Sequence, residues 1–523
     1  MNKAIILLLL IFSVLSGKAQ VPYWADNDEP AKIEPLSGIE YHAELQATGS
    51  HGKTPLWLNA NKYGLSSLDR YNGYVRAAVI RPLQTDSMNR WGIGYGVDVA
   101  VPYHFTSKYV VQQAFAEARW LHGVLSVGAK EYPMELKNNS LSSGSQTLGI
   151  NARPIPQVRL ALGDYWTIPY TKGWLHMKGH LAYGRMYDDS WQHDMTAKQT
   201  KYADGVLYHS KAGYLKIGNE ERFFPLSLEV GLEMAAQFGG TAHVLGTSGQ
   251  LEALKSENLL KGMYHALIPG GSDASETTYK NAEGNHLGSW LMRVNYDAEM
   301  WRLGFYADRF FEDHSAMLGV DYDGYGSGDE WQKKKKHRYL LYDMKDIMLG
   351  MEFNLKYDRW INDIVVEYLY SEYQSGPLYH DHNRTIADHI GGNDNYYNHV
   401  IYPGWQHWGQ VIGNPLYRSP IYNDDGRIYV HNSRMMAFHL GVDGRPLEHF
   451  QYKVLATYQE GLGTYDDPYL KKHHNVSFMV EGKYALPKDW VIKGAYAMDF
   501  GHILGHNAGF QLTLSKQGLL KLK

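Results

Sequence analysis

The sequence has no cysteine among its 523 residues, so disulfide bonds cannot contribute to the fold. Beyond the first 20 residues it also lacks an apolar run of about 20 residues, which is the length that a membrane-spanning helix requires. The formal net charge is only −4, and the charged residues are spread along the chain without a basic cluster typical of nucleic-acid binding. The sequence therefore does not fit a disulfide scaffold, a helical membrane protein or a nucleic-acid-binding protein.

The N-terminus has the features of an export signal. Lys3 precedes the apolar run Ala4–Leu15, and the small residue Ala19 follows shortly after. This arrangement predicts a signal peptide at residues 1–19, because the run is too short to span a membrane comfortably. No cysteine follows it, which excludes a lipid-anchored lipoprotein. Residues 20–523 contain no obvious linker and are expected to form one domain.

Aromatic residues with a polar tip are unusually abundant, with 41 tyrosines and 14 tryptophans against 15 phenylalanines. Such residues suit a membrane interface or a surface on which sugar rings stack. Since the mature sequence has no apolar run of spanning length, any insertion into a membrane must use a closed barrel of strands.

Alternation of apolar and polar residues is the dominant pattern of the chain, in segments of about ten residues. In Leu226–Met234 one face is wholly apolar, and the other carries serine, glycine and two glutamates. The same alternation occurs in Ile93–Val101, Trp301–Tyr306 and Phe510–Ser515. A soluble β-sandwich would turn the apolar face inward, whereas a membrane barrel turns it outward to lipid.

The lengths of the connections favour the barrel. Short turns are expected at Asp358-Arg359, at Asp443–Leu447 and at Pro487–Asp489, and long connections at Phe311–Lys345, Gln374–Ser433 and Gly461–His474. Short turns at one end and long loops at the other are typical of outer-membrane barrels. We therefore predict an all-β fold, a transmembrane antiparallel barrel of about 18 strands with small helical or plug elements.

Two local interpretations accompany this fold. The pattern gives about 19 candidate strands, and because a bacterial barrel has an even number, one is expected to be wrong, with Gly38–Thr48 the first suspect. Apolar residues at helical spacing predict a helix over Gln250–His265, ended by Pro269 and the following glycines. That helix would be a plug or cap, or would lie on a surface loop.

Several long motifs between Tyr41 and Gly184 carry a resemblance to a known family. They are Thr54–Gly64, Lys130-Glu131, Ser143–Ser145, Asn151–Arg159, Gly173–Leu175 and Lys178-Gly179. Together they resemble the Wzi family of capsule-assembly proteins, in its Bacteroidetes-like form. The resemblance implies an 18-stranded outer-membrane barrel, closed to free diffusion, with a lectin-like role in holding exported capsular polysaccharide at the cell surface.

The main candidate for glycan binding is an aromatic-rich segment within a long predicted loop. Its candidate residues are Tyr396, Tyr397, Tyr402, Trp405, His407 and Trp408. Rigid aromatic rings beside short polar groups are expected on an exposed loop that binds a ligand. The alternative is that these rings pack the loop onto itself as a lid.

Two further interpretations, each with an alternative, concern the first third of the chain. Trp57 and Asn59 form a second glycan-binding candidate, and the alternative is that this early segment packs into the barrel mouth. Arg153 and Arg159 could bind acidic sugars in bidentate fashion. The structural alternative pairs these arginines with the luminal acids Glu117 or Glu131, as a brace across a wide barrel.

No catalytic set or metal site is expected. Glu229 and Glu233 share one strand face but would lie roughly 13 Å apart, beyond the usual separation of a glycosidase pair. Neighbouring residues on an extended chain point in opposite directions, so Asp313-His314-Ser315 is not a hydrolase triad by itself. The acids Asp321, Asp323, Asp329 and Glu330 do not match the calcium-loop spacing.

The sequence thus predicts a non-enzymatic protein of the outer membrane that binds exported capsular polysaccharide or exopolysaccharide. Expected partners are this glycan and outer-membrane lipid or lipopolysaccharide, with no nucleic acid and no cofactor, and a monomer is expected. The alternatives are a porin-like passive channel and an outer-membrane lipid or glycan hydrolase.

Overall fold

The computed structural model describes residues 35–85, 90–219, 222–255, 258–269, 284–312, 317, 324–325, 328–335, 345–379 and 390–520. The predicted signal peptide, residues 1–19, lies outside these ranges, as do Asp313–Ser315, Asp321 and Asp323. Within the described ranges, no helix is both long enough and apolar enough to cross a membrane.

Eighteen strands form one antiparallel sheet, in which each strand pairs with its neighbours along the chain. They are β1 (Glu40–His51), β2 (Tyr71–Thr85), β3 (Trp91–Tyr103), β4 (Val110–Trp120), β5 (Gly123–Ala129), β6 (Gln157–Thr167), β7 (Leu175–Arg185), β8 (Leu207–Ile217), β9 (Leu226–Phe238), β10 (Asn285–Asp297), β11 (Trp301–Phe311), β12 (Ile347–Leu355), β13 (Asp363–Tyr370), β14 (Arg434–Leu447), β15 (Phe450–Gly463), β16 (Pro468–Leu486), β17 (Trp490–Gly501) and β18 (Asn507–Leu519).

The sheet closes into a barrel because β18 pairs with β1. Leu519 lies opposite Glu40 at one end of this pairing, and Ala508 lies opposite His51 at the other. The predicted fold is therefore confirmed. The suspicion against Gly38–Thr48 was wrong, since most of that segment belongs to β1, which pairs with both β2 and β18.

The strand faces follow the predicted alternation. On β3 the side chain of Val97 is 55% exposed on the outer surface, whereas its neighbour Asp98 is 1% exposed and faces inward. On β9 Leu226 and Val230 are exposed, and Glu233 between the apolar positions is buried. An apolar outer band and a polar interior suit a barrel surrounded by lipid.

Aromatic side chains cluster near both ends of the barrel wall. Near the short turns, the rings of Trp91 and Trp120 lie 6.2 Å apart, and those of Tyr296 and Trp301 lie 5.5 Å apart. Near the other end, Tyr71, Tyr103 and Tyr109 are exposed. Rings at both margins of an apolar band form the two aromatic girdles expected at membrane interfaces.

The connections differ in length between the two ends, as predicted, but two of the predicted positions were wrong. The long connection expected at Gly461–His474 consists of residues 464–467 alone, because β15 and β16 extend into it, and the turn expected at Asp443–Leu447 lies at residues 448–449. At the end that we call the short-turn end, the connections are residues 86–90, 121–122, 168–174, 218–225, 298–300, 356–362, 448–449 and 487–489. At the opposite end, the long-connection end, they are residues 52–70, 104–109, 130–156, 186–206, 239–284, 312–346, 371–433, 464–467 and 502–506. In bacterial barrels short turns face the periplasm and long connections face the outside of the cell.

The long connections contain the remaining elements. The helices are α1 (Leu56–Asn59), α2 (Asp189–Thr196) and α3 (Leu259–Leu267), and 3₁₀ turns occupy Gly328–Glu330 and Pro420–Tyr422. A small sheet joins Tyr202–Asp204, Thr241–Leu245 and Leu251–Lys255. Short strand pairs are Gly324–Tyr325 with Lys334–Lys335, Ser375–Tyr379 with Ile390–Asn393, and Gln406–His407 with Gln410–Val411.

The helix predicted over Gln250–His265 was wrong in its first part. Leu251–Lys255 is a strand that pairs with Thr241–Leu245, and the helix begins only at Leu259. Asn258 sets this start, because its side chain accepts a hydrogen bond from the backbone N–H of Lys261. A short apolar run fits both periods, and the pairing with a neighbouring strand decides between them.

Candidate functional site

Three long connections fold into the barrel from the long-connection end and fill its middle. We call residues 52–70, 130–156 and 394–433 together the plug. Most of their large side chains are buried, and most of these belong to one cluster with inward-facing residues of the wall. These rings are removed from water, as they would not be in connections that extend into solvent. The plug is therefore part of the folded core.

The first plug segment, residues 52–70, bonds to the wall formed by β15, β17 and β18. The backbone N–H of Leu56 donates to the carboxylate of Asp499, and the Trp57 indole donates to Thr457 Oγ1 at 3.1 Å. Lys62 Nζ donates to Gln511 Oε1 at 2.6 Å. Burial, aided by repulsion from Lys493, lowers the pKa of Lys62 to about 7.

The second segment, residues 130–156, bonds to the wall across β11, β12 and β13. Lys137 and Asp308 form an ion pair in which both side chains are almost completely buried. Asn138 Nδ2 donates to Glu352 Oε1 at 3.0 Å, and the backbone N–H of Ser143 donates to Glu367 Oε2 at 2.7 Å. These pairs satisfy luminal charges that would otherwise need water.

The third segment, residues 394–433, bonds mainly to the other two. The Trp405 indole donates to the carbonyl of Thr147 at 2.9 Å, and Tyr397 donates to the carbonyl of Gln146. Gln410 Nε2 donates to Asn59 Oδ1 at 3.1 Å. The three segments therefore support one another as well as the wall.

The glycan-binding candidates predicted in this third segment are buried. Their exposed fractions range from 0% to 8% for Tyr396, Tyr397, Tyr402, Trp405, His407 and Trp408. The expectation of an exposed aromatic loop was wrong, because the rings pack inside the barrel mouth. The tyrosine hydroxyls, the Trp405 indole and the His407 imidazole form hydrogen bonds with neighbouring parts of the chain, whereas the Trp408 ring packs against the guanidinium of Arg153. This matches the alternative of a packed lid, and a direct role in glycan binding stays a prediction.

Trp57 and Asn59 are also buried, at 3% and 1% exposed. Both lie on α1, which begins after Pro55 and packs against β16 and β17. The indole bonds to β15 and the amide bonds to the third plug segment. The structure supports the interpretation that this early segment packs into the barrel.

The two arginines do not pair with the predicted acids. The guanidinium of Arg153 lies 4.3 Å from the ring centre of Trp408 and donates to Thr106 and Ser107. Arg159 lies 3.9 Å from the ring centre of Tyr132. The acids have other cations as partners: Glu117 pairs with Lys130 and Glu131 with Arg76. The predicted pairing of these arginines was therefore wrong, and Glu117 is neutralised by a lysine that directly follows the adjacent strand β5.

A polar surface group lies where the third plug segment meets the hairpin tip between β15 and β16. We call it the rim patch: Asn395, Asp425, Arg427, Tyr429, His431, Thr464, Asp466 and Asp467. Asn395 Nδ2 donates to the Tyr429 hydroxyl at 2.8 Å and to Asp466 Oδ2 at 2.9 Å. His431 lies between Asp425 at 3.1 Å and Asp467 at 3.4 Å.

The environment of the rim patch shifts the pKa values of two of its residues, His431 and Asp425. Burial lowers the pKa of His431 below its ordinary value, although Asp425 acts in the opposite direction. Burial would raise the pKa of Asp425, but its hydrogen bonds from Arg427 outweigh this effect, and the pKa is lowered. At pH 7 the His431 imidazole is therefore mainly neutral and the Asp425 carboxylate is ionised, and both lie among the amide and hydroxyl groups of the patch.

Sequence reasoning missed the rim patch. Its residues come from two connections that are separated in the sequence by the hairpin of β14 and β15. No short motif contains residues from both connections. Asp425, Arg427, Tyr429 and His431 occupy every second position of the sequence, which is the one local signal that could have drawn attention to them.

Two polar cavities lie on the short-turn side of the plug. One, of about 330 Å³, is bordered by β4–β9 and includes Lys130, Arg159 and Lys178. The other, of about 830 Å³, is bordered by β12–β18 and β1. In the part of the chain that the structure describes, no group of three or more potential ligands is arranged to hold a metal ion.

The luminal glutamates considered for hydrolysis have structural partners. Glu229 accepts hydrogen bonds from Tyr165 at 2.6 Å and from Asn295 at 3.2 Å. Glu233 accepts from the Tyr214 hydroxyl at 2.7 Å. These contacts connect the wall strands and plug, and they do not form a paired acid and base around an open site.

Comparisons with known proteins show the fold. No family model matches the chain, and no curated protein sequence matches it. Among solved structures, Wzi of Escherichia coli is similar over 93% of this chain and 86% of its own, with a TM-score of 0.56 and 10% identity. It is described as an outer-membrane protein involved in group 1 capsule assembly and as a carbohydrate-binding β-barrel.

Other barrels are less similar. OccD3 of Pseudomonas aeruginosa has a TM-score of 0.43 at 8% identity, over 94% of both chains. OccAB4 of Acinetobacter baumannii has the same TM-score and identity, over 94% of this chain and 100% of its own. The closed sheet, the apolar outer band and the likeness to Wzi together identify the chain as an outer-membrane β-barrel.

Proposed function

We propose that this barrel is a non-catalytic surface protein that binds exported capsular polysaccharide or exopolysaccharide and helps to retain it on the cell. The observation that carries the proposal is the rim patch, a polar surface supported by the plug at the long-connection end. In outer-membrane barrels that end faces outside the cell, where the exported glycan lies.

The chemistry of the rim patch suits sugars. The carboxylates of Asp425 and Asp467 can accept hydrogen bonds from sugar hydroxyls, and Arg427 can donate to hydroxyls or to an acidic group. The ring of Tyr429 offers an apolar face beside these polar groups. Asp425 and Asp467 are 38% and 56% exposed, so a ligand can reach them.

The patch is also preorganised. Its residues bond to one another before any ligand arrives, and the buried aromatic residues of the third plug segment hold the backbone beneath them. A surface that is rigid before binding loses less conformational entropy when the glycan binds. The capsule-related description of Wzi agrees with this proposal, although the likeness itself extends only to the fold.

A passive channel is the second candidate, and the cavity of about 830 Å³ at the short-turn end is the observation that favours it. A channel requires this space to continue through the plug to the other side. The buried bonds between the plug and several strands of the wall argue against such a path.

The proposal is tested by glycan retention in cells. We expect that deletion of the gene leaves the polysaccharide made but shed into the medium. The wild-type gene should restore retention, whereas Tyr429→Ala with His431→Ala should restore less than half of it, because both rings of the patch are lost. Cell-bound and shed glycan are measured with the same antibody or sugar assay.

Leu470→Ala is the matched control, because Leu470 is fully exposed on the neighbouring β16 and lies outside the patch. It should restore retention completely, with both variants showing the heat-dependent gel mobility of a folded barrel. Full capsule on cells that lack the gene, with none shed, would contradict the assembly role.

A further inference from the structure

The cavity at the short-turn end has an unusual arrangement of charges. It is the larger of the two cavities, at about 830 Å³, and it opens on the side of the plug opposite to the rim patch. Its lining contains lysines from β15, β16 and β17. The contacts that hold the plug do not account for the presence of several lysines in this cavity.

Two of the lysines face each other directly. Lys483 on β16 and Lys493 on β17 are cross-strand partners in the barrel sheet, and both line the cavity. Like charges in this position repel and destabilise a sheet. Such a pair is understandable where an anion is bound between the two ammonium groups.

The ion pairs that the described residues form with these lysines are long. Glu481 is shared between Lys453 at 3.6 Å and Lys493 at 3.8 Å, which is longer than a charge-assisted hydrogen bond of about 2.7–2.9 Å. Lys483 forms no ion pair with any residue that the structure describes. A ligand carboxylate would find donors that are not already engaged at short range.

The opposite wall of the cavity offers acceptors. Asp363 on β13 and Asp443 on β14 are also direct cross-strand partners, and both line the cavity. Thr513, Ser515 and Gln517 on β18 add hydroxyl and amide groups. A small inorganic anion would use only the lysines, whereas an acidic sugar chain would place carboxylates on the lysines and hydroxyls on the aspartates.

The pKa of Lys62, which lies in the first plug segment, is affected by the lysines of the cavity. Repulsion from Lys493 and Lys453 adds to burial in lowering its pKa to about 7. A bound carboxylate near Lys493 would oppose this repulsion. The plug and the cavity are therefore coupled electrostatically.

We propose that the cavity at the short-turn end is a binding site for an acidic oligosaccharide segment, held by Lys453, Lys483 and Lys493 through its carboxylates and by Asp363 and Asp443 through its hydroxyls. The site is reached from the periplasmic side, so the barrel has a glycan site on each side of its plug. The inference rests on the proposed function for the expectation that the ligand is a glycan.

The test is a calorimetric titration of the full-length protein in detergent, in the Tyr429→Ala with His431→Ala background, so that the rim patch does not contribute. Trigalacturonate is the acidic probe and maltotriose is the neutral one. We expect binding of trigalacturonate that weakens as salt is raised, and no comparable binding of maltotriose. Lys483→Gln with Lys493→Gln should weaken the acidic trimer at least about tenfold.

Lys488→Gln is the matched control, because Lys488 lies in the neighbouring short turn and does not line the cavity. It should leave the affinity unchanged. Lys483→Gln alone should also keep or raise the thermal stability of the barrel, since it relieves the repulsion from Lys493.

Equal binding of the acidic and neutral trimers, or an unchanged affinity in the double lysine variant, would overturn the cavity site. Neither result would affect glycan retention through the rim patch, which is measured in cells with other variants. Conversely, if the rim-patch variant retained glycan on cells as well as the wild type, binding of trigalacturonate that depends on the lysines would still support the cavity site. The two proposals therefore fail on different results.

Discussion

At the scale of single residues, the interior of the barrel depends on charges that are paired one by one. Lys137 and Asp308 are the most enclosed pair, with side chains 1% and 0% exposed. Asp308 also accepts a hydrogen bond from the backbone N–H of Gln146 at 3.1 Å. One carboxylate of the wall therefore anchors two points of the second plug segment.

We expect Asp308→Ala to lower the free energy of unfolding by about 3–5 kcal/mol, because it leaves the buried ammonium of Lys137 without a partner. The measurement is urea unfolding in detergent or lipid, followed by tryptophan fluorescence. Asp308→Leu combined with Lys137→Met should lose much less, since both charges are then removed.

The control for this comparison is Asp424→Ala, which breaks the exposed pair with Lys53 and should cost no more than about 1 kcal/mol. If Asp308→Ala were as mild as the control, the plug would not depend on this ion pair. A double variant as unstable as the single one would point to lost packing instead of an unpaired charge.

The residue scale also shows how far the sequence could lead. The period-two pattern correctly predicted which side of Leu226–Met234 faces lipid, because that choice depends only on neighbours along the strand. It could not give the partner of Arg153, which stacks on Trp408 from a connection more than 250 positions away. Partners of this kind depend on how separate loops meet.

At the scale of elements, the third plug segment joins the outer surface to the interior. Its rings are enclosed by the wall and the other plug segments, while its later part carries four of the eight residues of the rim patch. Trp405 is 0% exposed, and its ring lies 5.9 Å from that of Tyr208 on β8. The segment therefore connects the rim patch to the rigid interior of the barrel.

We expect Trp405→Ala with Trp408→Ala to weaken glycan binding without unfolding the barrel. Trp408 packs in one cluster with Ile428, which lies between the rim-patch residues Arg427 and Tyr429, and the loss of both rings leaves cavities that allow the segment to move. The closed sheet does not require them, because its strands bond to one another all around the wall. Binding is measured by pull-down with purified polysaccharide, and folding by heat-dependent gel mobility.

Phe223→Ala is a suitable control, since Phe223 is almost fully exposed in a short turn at the other end of the barrel. It should bind glycan as the wild type does. Unchanged glycan binding in the double tryptophan variant would show that the rim patch does not depend on the buried rings of the third plug segment.

Elements were predicted with uneven success, for a physical reason. Strands of the wall repeat one environment, with lipid on one side and the lumen on the other, so their pattern is regular along the sequence. The plug has no such repeat: its segments are short and irregular and are shaped by contacts with distant strands. The sequence therefore left packing of the segment around Trp57 as one of two interpretations, and it misread Leu251–Lys255, whose strand partner decides its conformation.

At the scale of the whole molecule, the closed wall and the plug decide whether the barrel conducts. The plug bonds to β4 through Tyr63 and Gln112, to β11 through Lys137 and to β17 through Leu56. These strands lie far apart around the circumference. A plug attached at such separated points cannot swing aside as a single hinged lid without breaking buried bonds on several sides.

We therefore expect no steady, large single-channel current from the wild-type protein in planar lipid bilayers. A variant in which residues 395–432 are replaced by a short glycine-serine linker should conduct, because the third segment closes the space between the other two. The replaced variant must first show the gel mobility of a folded barrel, so that a current is not due to damaged protein. Steady large currents from the wild type would instead favour the passive channel, and they would require the cavity at the short-turn end to continue past the plug.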